Sequence, residues 1–230
     1  MHVALIPDGN RRYMKKQGIL SLGESYARGI QRFYDFLEWC AEFGVNEVTI
    51  YALSTENIEN RSREEIETLF TVFSDQAERA LTDKRIHEKK VKVNFCGDRE
   101  YLLSRSVNKS LSKKLVSNLV KLEESTREYK NLTLNLAIAY GGRQEILSAA
   151  KALADKQLPF TEENLRKNLW VKDYPDILIR TSEDRVSNFL LWQAAYAEMY
   201  FPDKLWQEFT RDDLAGIISD YRDRERRFGR

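Results

Sequence analysis

The chain has 230 residues, 42% of them hydrophobic and 32% charged, which suits one domain, 1–230, with a full apolar core. Its 37 Lys and Arg against 36 Asp and Glu leave a net charge of +1, so no global field draws nucleic acid, and any anion site must be local. No apolar run approaches the ~20 residues of a membrane span, and the chain opens inside a predicted strand with no room for a signal peptide, so a soluble cytoplasmic protein is expected.

The predicted elements alternate. Residues 3–7 read as an apolar strand that runs into Asp8-Gly9-Asn10-Arg11-Arg12, just ahead of a predicted helix. Residues 27–43 carry Phe33, Phe36, Leu37 and Cys40 at helical spacing, with Gly44 as the stop. A strand over 47–53 follows. Ser62 then reads as the N-cap of a long helix reaching about residue 85, with Glu65 as its capping-box partner. A strand is predicted over 91–96 and a polar amphipathic helix over 100–128. A strand over 132–140, a helix over 142–154 and a strand over 176–179 come next. A short strand over 197–201 and a helix over 210–222 close the series. Several strands are apolar on both faces, as in a covered parallel sheet. The fold class is therefore α/β, with an open, mostly parallel central sheet and helices on both faces. In such sheets ligands sit beyond the carboxyl ends of the strands, where Asp8, Ser54, Gly141 and Arg180 all fall. Cys40 and Cys96 have no zinc or CxxC spacing and read as buried thiols.

Two loops carry phosphate chemistry. Asp8 can hold a hard divalent cation, and Arg11 and Arg12 can grip phosphate oxygens. A turn aspartate would account for Asp8 alone, but not for two adjacent arginines. The second loop, after the strand at 176–179, brings Arg180, Arg185 and Ser187 within eight residues. Its alternative is a solvated loop with the arginines paired to Glu183 and Asp184. Ser54 and Asn57 leave a third strand and could bind substrate or relay a proton, or simply cap the loop. Glu198 lies in an aromatic, apolar segment where a lone acid is costly unless paired or metal-bound. His2 and His87 have no partners at ligand spacing.

Five segments in order, HVALIPDGNRRYMKKQG, VTIYALSTENIENR, LNLAIAYGGRQEI, PDILIRTSEDRVSNFLLWQAAYAEMYF and RERRFG, resemble the signature segments of the cis-prenyltransferases, the undecaprenyl and dehydrodolichyl diphosphate synthases among them. The resemblance implies a homodimer that condenses an allylic prenyl diphosphate with isopentenyl diphosphate, with Mg²⁺, to give Z-prenyl diphosphates and pyrophosphate. It implies that Asp8 and Glu198 are the metal acids and that Asp8, Asn10, Ser54 and Asn57 serve catalysis. Gly9, Arg11 and Arg12 would form the loop around the allylic diphosphate, and Arg180, Arg185 and Ser187 would bind the isopentenyl diphosphate. Tyr26 and Arg61 would be further substrate-binding positions, Arg61 matching the family's arginine after the Ser54–Asn57 loop if one residue is inserted. Arg227 and Gly229 match an Arg-x-Gly element that reaches the neighbouring subunit's site. Leu22 and Tyr26 stand where the family usually has an Arg and a His, with Arg28 as the nearby candidate to supply the missing charge. Irregular, head-to-middle coupling of allylic units and a non-catalytic partner subunit are the alternative functions. Any membrane contact would be peripheral, through the lipid product.

Overall fold

The computed structural model describes residues 1–104 and 108–224. Arg227 and Gly229 lie outside them. Six strands, β1 (His2–Ile6), β2 (Glu47–Ser54), β3 (Val91–Cys96), β4 (Leu132–Tyr140), β5 (Ile177–Arg180) and β6 (Glu198–Tyr200), form one sheet in the order β3-β4-β2-β1-β5-β6. Every neighbouring pair is parallel. Each strand lies where the apolar runs predict it, with ends moved by one residue at most.

Alternation along the strands divides the core between two faces. Val3, Leu5, Val48, Ile50 and Leu134 pack with Phe36 and Cys40 of α2 (Leu22–Glu42) and with Leu214 and Ile218 of α10 (Arg211–Asp223). On the same side α4 (Arg63–Ala80) and α7 (Lys109–Thr126) join through Leu69, Phe70, Leu115 and Leu119. The opposite face, with Ala4, Ile6, Tyr51, Cys96 and Ala137, is covered largely by residues 170–197, among them Val171, Phe189, Leu190 and Ala194. The start of α8 (Gly142–Asp155) ties in there: the buried Glu145 carboxylate accepts from Tyr140, the Val171 N–H and Gln193. Cys40 and Cys96 are buried free thiols, and burial pushes both thiols up.

Local capping decides where the helices differ from the sequence pattern. Ser21 caps α2 by accepting the Glu24 N–H (3.3 Å), so the helix begins five residues before the apolar spacing shows it. Ser62 caps α4 through the Glu65 N–H as expected, but the Glu65 carboxylate does not return to Ser62. The predicted run to residue 85 ends at Ala80, because Asp83 accepts the Arg85 N–H and starts α5 (Lys84–Glu88). The long helix over 100–128 is two, α6 (Arg99–Ser104) and α7, the latter capped by Asn108 on the Leu111 N–H. Two short helices, α3 (Thr55–Asn60) and α9 (Glu162–Asn168), occupy stretches where no helix was expected, and α1 (Asn10–Lys16) follows β1. Among the described residues no helix is long and apolar enough to cross a membrane.

Sheet order fixes where a ligand can sit. The chain leaves β1 towards β2 on one side and leaves β5 towards β6 on the other. The loops therefore part between β1 and β5, which opens a crevice beyond their carboxyl ends.

Candidate active site

The two arginine-bearing loops meet in that crevice. Ile6 pairs in register with Arg180, and two residues later Asp8 reaches back to it: Arg180 Nη2 donates to Asp8 Oδ2 at 2.9 Å. The other Asp8 oxygen accepts the Gly9 N–H at 2.6 Å. The Asp8 backbone is clamped on both sides, its N–H donating to Thr181 Oγ1 and its carbonyl accepting from Thr181 Oγ1 and the Trp206 N–H. Gly9 takes φ +104°, and a Cβ there would lie 2.9 Å from Leu205 and 3.0 Å from Ser182 Oγ, so only glycine fits the turn. The Asn10 amide donates to the Pro7 carbonyl and accepts from Gln207.

Arg180 is 4% exposed and holds the second loop as well as the first. Its Nη1 donates to Ser187 Oγ (2.6 Å) and to the Arg185 carbonyl. Arg12 and Arg185 both turn to one carboxylate: Glu183 accepts from Arg12 at 3.0 Å and from Arg185 at 2.6 Å. Glu183 thus stands between two exposed cations as a phosphate would. Asn188, with φ +63°, joins three loops. Its backbone carbonyl and Oδ1 accept the Gly142 and Arg143 N–H groups, and its amide donates to Glu56 (2.7 Å). The N-terminus of α8 is capped in this way.

On the far side of the mouth, Ser54 Oγ accepts the Asn57 N–H and starts α3. The Asn57 side chain accepts from Arg61 Nη2 (3.2 Å). Arg61 Nη1 in turn donates to the Tyr26 hydroxyl (3.1 Å) and to Glu65 (3.0 Å). Arg28, the candidate for the charge missing at Leu22 and Tyr26, points elsewhere. It is exposed, ion-paired with Glu24 at 2.7 Å, and takes no part in the cavity wall. Arg61, unlike Arg28, lines the cavity there.

These groups rim one cavity of about 1350 Å³. Asp8, Gly9, Asn10, Arg11, Arg12, Tyr26, Ser54, Asn57, Arg61, Arg180, Arg185 and Ser187 all line it. Below the polar mouth the wall becomes apolar, with Phe33 and Leu37 of α2, Leu69, Phe73 and Ala77 of α4, and Ile50, Leu134 and Ile138 of the sheet. It ends beside Val91, Leu132 and Asn46, at the opposite edge of the sheet. The span of β4, nine residues, makes that depth roughly 26 Å. On α4, Leu69 and Phe73 face the cavity, while Phe70 is buried against the neighbouring core.

Glu198 is not brought to Asp8 within the chain. It pairs with Ile177, three rows below Arg180, and its carboxylate accepts from Arg224 at 2.7 Å. Among the described residues no cluster of three His, Cys, Asp or Glu gathers as a metal cage. Asp8 alone fits Mg²⁺, which is commonly held by one or two carboxylates with substrate phosphates completing the shell. Its carboxylate is 38% exposed and faces the mouth. Glu183, Asn188 and Thr181 went unnoticed as site residues in the sequence. For Glu65 there was a signal, the i,i+4 spacing to Arg61.

The family model described as "Putative undecaprenyl diphosphate synthase" matches residues 6–229. The tritrans,polycis-undecaprenyl-diphosphate synthase (geranylgeranyl-diphosphate specific) of Pyrobaculum aerophilum is 43% identical over the whole chain and 95% of its own length. The isoprenyl transferase of Thermus thermophilus is 41% identical over the whole chain and 88% of its length. Among solved structures, lavandulyl diphosphate synthase from Lavandula x intermedia, in complex with dimethylallyl diphosphate, superposes with a TM-score of 0.87 at 29% identity, covering all of this chain and 98% of that one. A probable undecaprenyl diphosphate synthase from Campylobacter jejuni gives 0.80 at 33%, with the same coverage.

Proposed function

The chain belongs to the undecaprenyl diphosphate synthase family of prenyltransferases, and we propose that it lengthens geranylgeranyl diphosphate by repeated condensation with isopentenyl diphosphate. The allylic partner is taken from the names of the archaeal relatives. The observation that carries repeated elongation is the cavity: it leads from an arginine-lined mouth down an apolar channel the full depth of the sheet. Head-to-middle coupling of two short allylic units would leave most of that channel unused.

In each round the allylic C–O bond breaks and pyrophosphate leaves. The terminal alkene carbon of isopentenyl diphosphate bonds to the allylic carbon, and a proton departs to form the new double bond. Negative charge grows on the leaving pyrophosphate, and preorganised guanidinium groups stabilise it there. On this reading Arg180, Arg185 and Ser187 hold the isopentenyl diphosphate, and Arg11, Arg12 and Arg61 the allylic one; their position around one cavity mouth supports it. Asp8 would carry Mg²⁺, which when bound offsets the charge of the departing pyrophosphate. The apolar wall removes the growing chain from water.

A homodimer suits the surface. Leu147 on α8, Leu191 and Tyr196 after β5, and Met199 on the edge strand β6 are exposed apolar side chains, and an uncovered edge strand is ordinarily protected. Sedimentation equilibrium is expected to give a dimer mass, and a monomer would remove the proposal. Membrane contact, on this reading, is peripheral and made through the lipid product.

The test of function is product analysis. With geranylgeranyl diphosphate, labelled isopentenyl diphosphate and Mg²⁺, mass spectrometry is expected to find a ladder of products rising by one C5 unit. A product built from two allylic units, with no isopentenyl label, would replace this reading with irregular coupling. The channel supplies a second test. Ala77 is 5% exposed on α4 and faces the cavity, so Ala77→Phe should block it about midway. Shorter products at an unchanged rate of first condensation are expected; unchanged product length would mean the chain does not pass Ala77.

A further inference from the structure

We propose that Tyr26 and Glu65 are positioning residues that fix the guanidinium of Arg61 at the neck of the cavity, where it receives the diphosphate of the allylic substrate. The inference rests on the assignment of that substrate to this side of the mouth.

Glu65 sits in the first turn of α4 and is 6% exposed. A carboxylate so buried is costly unless it is paired. A capping box would return it to the backbone of Ser62. Instead it leaves the helix and accepts from the Tyr26 hydroxyl (2.8 Å) and from Arg61 Nη1 (3.0 Å). Tyr26 closes the triangle by accepting from Arg61 at 3.1 Å. Asn57 accepts from the other terminal nitrogen, Arg61 Nη2. Three anchors, on α2, α3 and α4, therefore set the plane of one guanidinium. Such a planar group is useful to a phosphate only when its orientation is fixed.

Neither anchor can do Arg61's work. A phenol has one proton to donate, and Tyr26 gives it to Glu65. Burial raises the Tyr26 pKa above its ordinary value, so the hydroxyl keeps that proton throughout the working range. Glu65 does not line the cavity at all, whereas Arg61 does. Arg61 Nε is buried and has no hydrogen-bond partner among the described residues, so the terminal nitrogens carry the anchoring. The height is right as well. Leu69 and Phe73 follow Glu65 at four-residue steps along α4 and begin the apolar wall, so Arg61 stands at the boundary where a diphosphate head would stop and its hydrocarbon tail would enter.

The experiment is calorimetric titration of the full chain with geranylgeranyl diphosphate, and separately with isopentenyl diphosphate, for Tyr26→Phe, Glu65→Gln, Arg61→Ala and the double variant Tyr26→Phe/Arg61→Ala. Removing the hydroxyl is expected to weaken geranylgeranyl diphosphate about tenfold, the usual effect of one hydrogen bond to a charged group, and to leave isopentenyl diphosphate within about twofold. Glu65→Gln should weaken the same ligand. In the Arg61→Ala background, Tyr26→Phe should add nothing, because its effect passes through Arg61. Full additivity would mean that Tyr26 touches the ligand itself and would overturn the proposal. Equal weakening of both ligands would overturn it too, as a general structural effect, and so would unchanged binding by Tyr26→Phe. If the unmodified chain fails to bind geranylgeranyl diphosphate, the functional assignment falls first, and that outcome is read before any variant is compared. Should Glu65→Gln fail to fold, the Tyr26→Phe and double-variant arms decide alone.

Discussion

Asp8→Ala is expected to lower turnover by about 100-fold or more, a loss of ~2.7 kcal/mol of transition-state stabilisation. The fold should survive, because the Asp8 backbone bonds to Thr181 and Trp206 do not need the side chain. What the variant removes is the carboxylate at the mouth that is proposed to hold the cation, and with it the partner of the buried Arg180 at 2.9 Å. Breaking a buried ion pair costs about 3–5 kcal/mol. Asp8 is 38% exposed, so solvent screening reduces the expected stability loss to roughly 1–2 kcal/mol. Thermal unfolding and steady-state turnover at saturating Mg²⁺ measure the two effects separately. Turnover close to that of the unmodified chain would sink the metal-site reading.

Arg180→Lys should be nearly as damaging although it keeps the charge. The guanidinium works as a fork. One terminal nitrogen serves Asp8 on the first loop, and the other serves Ser187 and the Arg185 carbonyl on the second. A lysine ammonium is a point charge at the end of a flexible stem and cannot span both loops. Losing two charge-assisted hydrogen bonds, at about 1.5–3 kcal/mol each, more than accounts for an expected 100-fold fall in kcat/KM for isopentenyl diphosphate. The allylic KM should move far less. A value of kcat/KM within about threefold of the unmodified chain would show that the fork does not organise this site.

Much of the site could be read in the chain itself because strand ends are local features. Val3 to Ile6 and Ile177 to Ile179 are apolar runs that end in Asp8 and Arg180, and a parallel sheet must deliver both ends to one edge. That rule also brought Ser54 and the start of α8 to the same mouth. Helix boundaries were less legible. Asp83 and Asn108 are polar residues inside otherwise periodic stretches, and nothing in the periodicity tells a cap from a solvated face.

Side-chain partnership across long separations was least legible. Glu183 offered internal pairing with Arg185, two residues away, but its simultaneous pairing with Arg12 joins residues 171 positions apart. Arg28 seemed placed to replace a missing charge, yet the helical turn directs it to Glu24, and it is Arg61 that lines the cavity beside Tyr26. Glu65 fits the spacing of a capping box, but a buried carboxylate takes the strongest donors within reach, and those belong to Tyr26 and Arg61. The sequence alone therefore determined the class of sheet, the edge at which the chemistry gathers and the family, all set by short-range patterns and ordered motifs. Only the tertiary structure decided that Arg61 rather than Arg28 lines the cavity, how Glu183 sits between two arginines and how deep the apolar channel runs, because each depends on contacts between elements far apart in the chain, which no local pattern encodes.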